Sequence, residues 1–419
     1  MAESKEDRKP TRWGIRPRFG PGLLITAAFI GPGTVVTASR AGAERGCGLL
    51  WTILFATVGA IVLQSLAARV GIVQRQGLGE AIRDALSGTR WFRPMLLLVV
   101  CALGVGNSAY QAGNLAGAAT GIQQVTGLDP KLSILLLAVV ATAVILKGSY
   151  RLFHHLLVSL VCVLSISFLF TALVSFPDLA SVIQGALIPR LSREDLTIVL
   201  ALIGTTIVPY NLFLHASTAR ITYRTQSTSD ATAHSLKDTS YSVGLGGLIT
   251  AAIMISSSAV FFETGTPWKS VEDISLQLLP TLGEASAIAF ALGLFGAGFT
   301  SSITAPLATA YAICGILGWP SDPASRRFRG IAVTVVMAGV SSRFLVGGSP
   351  AGIIGLAQLA NGMLLPIVAT FLVILVRHGR KKAHQRLDAL TVSGMAIVVL
   401  VTLLSAVKIA NVFQDWSLS

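Results

Sequence analysis

Two helix-breaking motifs interrupt long apolar runs: Ile30-Gly31-Pro32-Gly33-Thr34 and Ile207-Val208-Pro209-Tyr210-Asn211. Proline removes a helical hydrogen bond and glycine lets the backbone unwind, so each motif frees carbonyls and amides near the middle of a helix. Neutral polar groups lie at similar depth in these and other runs: Thr37, Asn107, Gln111, Asn114, Thr205, Thr206, Thr300, Ser301, Ser302, Thr304, Gln358 and Asn361. Taken singly, a Ser or Thr there is explained as well by bonding back to its own helix or by joining two helices. Amides beside a broken helix are better placed to face a cavity. His215, the imidazole of the second broken run, reads first as a structural donor and second as a step in a proton path.

None of the nineteen acidic residues falls in the middle of a run. Carboxylates inside a membrane mark ion sites and proton relays, so the chemistry available at depth is that of neutral oxygens. The chain has no Walker loop, metalloprotease helix or nucleophile elbow. We expect no catalytic residues, no cofactor and no enzymatic activity.

The elements that hold these groups are set by composition. Of 419 residues, 53% are hydrophobic and 12% charged, with a mean hydropathy of +0.72. That is about half the charge of a soluble domain, which excludes a soluble enzyme, a disordered chain and a nucleic-acid binder. The lipid bilayer is the expected partner. A span needs about 20 apolar residues, and eleven runs qualify: 20–39, 47–72, 95–121, 131–147, 152–176, 196–218, 240–263, 284–318, 328–346, 350–376 and 388–411. The four cysteines form no disulfide pattern and are read as packing residues. Gly113, Gly117 and Gly121 repeat at helical spacing in span 3 and predict close helix packing.

The amino-terminal segment and the loops after spans 2, 4, 6, 8 and 10 hold 6, 4, 2, 3, 3 and 5 basic residues, 23 of the 32. The positive-inside rule then places the amino terminus in the cytosol and the carboxyl terminus outside. The two breaks are five spans apart, and five is odd, so a five-span repeat returns inverted in the membrane. Matched breaks in two halves point to a transporter's midplane site. The expected organisation is a basic cytosolic tail 1–19, a first repeat 20–176, an outer loop 177–195, a second repeat 196–376, and a remainder 377–419 with span 11.

Several segments resemble the natural resistance-associated macrophage protein (NRAMP) family of divalent metal transporters. They are Gly20-Pro21-Gly22-Leu23-Leu24, the Pro32-Gly33 break, Ala41-Gly42-Ala43, Leu49-Leu50-Trp51, Asn211-Leu212-Phe213-Leu214-His215, and Gln358 with Leu365-Pro366. The resemblance covers nearly the whole chain and implies an all-α LeuT-type fold of the APC superfamily, an inverted 5+5 repeat with spans 1 and 6 broken. It also implies a departure. The family's Asp-Pro-Gly-Asn is here Gly31-Pro32-Gly33-Thr34, and its Met-Pro-His is Val208-Pro209-Tyr210. The metal-binding Asp, Asn and Met are gone, and the acidic positions of span 3 fall on Gln111 and Asn114. Thr34 and the Thr205 backbone carbonyl remain as metal ligands to consider.

The expected function is alternating-access transport across the plasma membrane, with a divalent metal cation as substrate and without the family's proton coupling. The alternative is a carrier of a small carboxylated or zwitterionic solute such as an amino acid, its carboxylate held by half-helix amides. The expected substrate-binding set is Gly31, Gly33, Thr34, Gln111, Asn114, Thr205, Val208, Tyr210, Gln358 and Asn361.

Overall fold

The computed structural model describes residues 30–147, 151–382 and 384–417, and every regular element among them is helical. The basic tail and the first half of span 1, with Gly20 to Leu24, lie outside the described residues. Among the described residues, ten helical segments are long and apolar enough to cross a membrane. The helix Pro32–Arg45 is the described half of span 1. Spans 2 to 5 are Leu50–Gln74, Phe92–Thr126, Pro130–Lys147 and Arg151–Val174. Span 6 is divided into Leu196–Thr206 and Pro209–Thr222. Spans 7 to 11 are Thr228–Ser257, Ser286–Leu317, Arg326–Val346, Pro350–Lys382 and Ala389–Ser417.

The span 6 break falls where its proline predicts it, and a helix likewise starts at Pro32 of the first motif. Each proline opens a half-helix of 14 residues, at the position where its missing N–H costs nothing. Several helices outrun their apolar cores. Span 7 starts at Thr228 rather than residue 240, because the Ser227 hydroxyl accepts the Asp230 amide at 3.2 Å and caps a polar first turn. It ends in a π-helical turn, Ser258–Phe262. Hydropathy marks where hydrocarbon ends, and helix hydrogen bonding continues beyond it. Two connections read as loops hold short helices, Leu78–Leu86 and Leu179–Leu187.

Spans 3 and 8 form the largest helix pair, span 10 packs on span 3 and on the first half of span 6, and span 2 packs on span 7 and the second half of span 6. Lipid is as apolar as leucine, so close backbone approach rather than water exclusion holds such helices together. The span 3 glycines do this as expected. A β-carbon on Gly117 would overlap Pro32, one on Gly121 would overlap the Ala291 carbonyl, and Gly113 lies against Ile354 and Ala357. Gly204 and Gly362 bring the first half of span 6 and span 10 together in the same way.

The cysteine expectation needs correction. Cys47 and Cys314 are buried, but Cys101 and Cys162 are exposed on the outer surface of spans 3 and 5. A span's lipid face is as apolar as its packed face, so hydropathy does not separate them.

Candidate functional site

The site is built where the two broken spans meet span 3, span 8 and span 10. Gly31 caps the second half of span 1 in extended backbone, φ −110° and ψ −174°. Its carbonyl accepts the amides of Thr34 at 3.1 Å and Val35 at 3.3 Å. Val208 caps the second half of span 6, and its carbonyl accepts the Asn211 amide at 3.0 Å. The amides of Gly33 and Tyr210, in the first turn of each half-helix, precede any intrahelical acceptor. At the opposing helix end, Ile207 bonds back to Ile203 at 2.8 Å. The Thr205 carbonyl has Pro209 four residues on, which carries no N–H, so this carbonyl is left without its helical donor.

Side chains close around these ends. The Thr34 and Thr205 hydroxyls share a hydrogen bond of 2.9 Å that ties the two broken spans together. The Gln358 carboxamide lies over Gly33, where a β-carbon would sit 2.2 Å from Nε2. Beside Gly31 stand Ser301 Oγ and the Tyr110 hydroxyl, 3.1 and 3.5 Å from the position of a β-carbon. The rings of Tyr110 and Tyr210 meet edge to face with centroids 5.5 Å apart. None of the Tyr110, Tyr210 and Ser301 hydroxyls makes a hydrogen bond of normal geometry, nor do Oε1 of Gln111 and Gln358. Thr34, Gln111, Thr205, Val208, Tyr210, Gln358 and Asn361 are all at most 1% exposed. A buried polar atom without a partner costs about 1–3 kcal/mol, which marks this group of neutral oxygens as the candidate site.

The expected residues do not all converge. Gln111 donates from Nε2 to the Ser302 carbonyl at 3.0 Å and so also joins span 3 to span 8. Asn114 lies a turn further along span 3, where its carbonyl approaches Gly298. Asn361 faces Gly106. Thr206, Thr300, Ser302 and Thr304 bond back to their own helices. His215 is buried on the far side, with Nδ1 3.0 Å from Gln64 Oε1, and joins span 6 to span 2. The residue that the sequence reading passed over is Tyr110. Its signal was its place between Asn107, Gln111 and Asn114 on the polar face of span 3.

Among the described residues no three His, Cys, Asp or Glu side chains are grouped to hold a metal ion. The arrangement offers hydroxyls, carboxamide oxygens, a free carbonyl and half-helix amides, and no formal charge.

The family model for natural resistance-associated macrophage protein-like chains matches residues 22–411. A divalent metal cation transporter MntH from Chromohalobacter salexigens is 28% identical over 357 residues, covering 82% of this chain and 81% of its own. The solved manganese transporter of Eremococcus coleocola has the same fold, with a TM-score of 0.73 at 24% identity over 94% of this chain and 86% of its own. Mhp1, a nucleobase-cation-symport-1 transporter, aligns with a TM-score of 0.57 at 15% identity, over 97% of this chain and 94% of its own. These likenesses establish the LeuT-type fold.

Proposed function

The chain belongs to the natural resistance-associated macrophage protein family, and from that premise we propose that it carries a divalent metal cation across the membrane as its substrate. It is an integral membrane protein. The observation that carries the reading is the neutral oxygen set at the breaks: the Thr34 and Thr205 hydroxyls, the Thr205 carbonyl, Gln358 Oε1, and the hydroxyls of Tyr110, Tyr210 and Ser301. Stripping a divalent ion of water without a carboxylate to replace it leaves its charge uncompensated. The substrate therefore enters with much of its water shell, and the site's hydroxyls and carbonyls bind that shell or replace part of it. Hard ions keep water and take oxygen, whereas Val208 offers no sulfur to a soft one.

Alternating access about the two breaks follows from this reading. The units 20–176 and 196–376 act as two inverted repeats, which the matched 14-residue half-helices support. Transport proceeds without stoichiometric proton movement, because no carboxylate among the described residues stands in the site and His215 is engaged with Gln64. The carboxylated-solute reading retains one favourable observation, the first-turn amides of Gly33 and Tyr210 at two half-helix N-termini.

Uptake into proteoliposomes tests both. Magnesium, manganese, cadmium and labelled amino acids are offered with and without a pH gradient. Uptake of the hard ions, unchanged by the gradient, is the expected result. Amino-acid accumulation without metal uptake would replace the metal reading with the solute reading.

A further inference from the structure

We propose that a groove between spans 3, 8 and 9, facing the bilayer, binds an anionic phospholipid, with the phosphate on Arg327 and an acyl chain along the trough. The groove encloses about 720 Å³ and is lined by Gly104, Val105 and Ser108 of span 3, Ile313 of span 8, and Gly330 and Thr334 of span 9. Val105 is 70% exposed, so the trough opens outward to lipid rather than inward to the breaks. A β-carbon on Gly104 or on Gly330 would meet no atom within 4 Å, so the protein's own side chains leave this space open.

An open apolar trough in a membrane draws in hydrocarbon, because its lining otherwise forfeits dispersion contacts. Water finds few polar partners there. The headgroup end is marked by charge. Arg327 and Trp319 both line the groove, and the guanidinium lies 5.0 Å from the indole centroid. Among the described residues no carboxylate lies within ion-pair distance of Arg327. A guanidinium presents a planar fork of donors that matches a phosphate, and tryptophan settles at the membrane interface. Arg326 and Arg329 stand beside it and raise the local positive potential. Fifteen positions separate Arg327 from Ser342 at the far end of the lining, a helical rise of about 22 Å. That exceeds half of a hydrocarbon core of about 30 Å, so one acyl chain from interface to midplane fits.

The test uses the full chain in nanodiscs of phosphatidylcholine and phosphatidylglycerol, doped with phosphatidylglycerol that carries a photoactivatable diazirine in one acyl chain. Crosslinks are expected to concentrate on residues 104–109 and 330–335 of the unaltered chain. Arg327→Gln should lower the retention of phosphatidylglycerol over phosphatidylcholine by roughly fivefold, the value of one basic residue at a lipid surface. Gly104→Leu should fill the trough and remove crosslinks from both segments. Crosslinks spread evenly over spans 2, 3, 5 and 11 would overturn the proposal, as would retention unaltered by Arg327→Gln. A second copy of the chain covering the groove, with no lipid between, would also overturn it. The crosslink map of the unaltered chain decides the matter even where a variant fails to fold.

Discussion

A β-carbon on Gly31 would stand 3.1 Å from Ser301 Oγ and 3.5 Å from the Tyr110 hydroxyl. These hydroxyls occupy the space into which the family resemblance would direct a metal-binding carboxylate. Gly31→Asp alone should therefore crowd the site, while its extended backbone suits any residue. Adding Ser301→Ala removes the nearer hydroxyl. Together with Val208→Met, these changes should raise manganese affinity more than tenfold by calorimetry, since the carboxylate offsets the ion's charge. Unchanged affinity would show that more than ligand identity separates this site from the rest of the family. Thr34 and Gln358 are tested more simply. Alanine at either should weaken apparent substrate affinity by roughly 10- to 150-fold, the loss of one hydrogen bond to a charged group of about 1.5–3 kcal/mol. Unchanged affinity with falling protein yield would identify them as interhelical glue. At this scale the breaks were legible, because proline acts on its own backbone. Tyr110 was not, because its ring counts as apolar and only packing shows that its hydroxyl faces Gly31. Gln111 shows the same limit in reverse: its type and depth were legible, but its bond to the Ser302 carbonyl belongs to the span 3 and span 8 pairing.

Between elements, the tightest joint lies where the first half of span 6 crosses span 10. A β-carbon on Gly204 would fall 2.1 Å from the Gln358 carbonyl oxygen, and one on Gly362 would fall 2.2 Å from that of Leu200. Backbone cannot yield there as a flexible side chain would. Gly362→Ala should destabilise the folded chain by about 1–3 kcal/mol and displace the Gln358 side chain from Gly33. Thermal unfolding in detergent reads the first effect and substrate affinity the second. A different joint ties span 2 to span 11. Burial alone would raise the Asp388 pKa, but hydrogen bonds from Thr391 and Arg69 outweigh it and bring the carboxylate down to about 2. Its contribution is complete above the ordinary value of 3.8 and is lost as pH falls from there through 2. Asp388→Asn should cost on the order of 1 kcal/mol at pH 7, after allowance for partial exposure, and progressively less as pH falls through 2. Equal losses at both pH values would assign the effect to packing. The existence of spans 2 to 11 was legible, since hydropathy is local. Helix ends were not, because caps such as Ser227 and short amphipathic helices such as Leu78–Leu86 lie outside the apolar runs.

Across the whole molecule, charged contacts gather at two opposite ends of the helices. At one end Arg69 and Arg380 reach Asp388 at 2.7 and 3.4 Å, and Ser321 reaches Glu80 at 3.2 Å, so the connections after spans 2, 8 and 10 lie together. At the other, Arg45 binds Asp195 at 2.5 Å and Glu194 at 3.3 Å, and Arg193 reaches Gln414 at 3.2 Å. The connections that carry most of the basic residues belong to the first end, and acidic partners there are few. Lysine and arginine are retained on the cytosolic side during insertion, so we predict that the first end faces inward. With the eleven spans expected from hydropathy, this orientation predicts a cytosolic amino terminus and an external carboxyl terminus. A reporter fused after Ser419 should be reached by a membrane-impermeant reagent in intact cells, and one in the span 8 to span 9 connection, residues 318–325, should not. A cytosolic reading after Ser419 would place the Arg45 and Asp195 end inside, against the distribution of basic residues, and would overturn the predicted orientation.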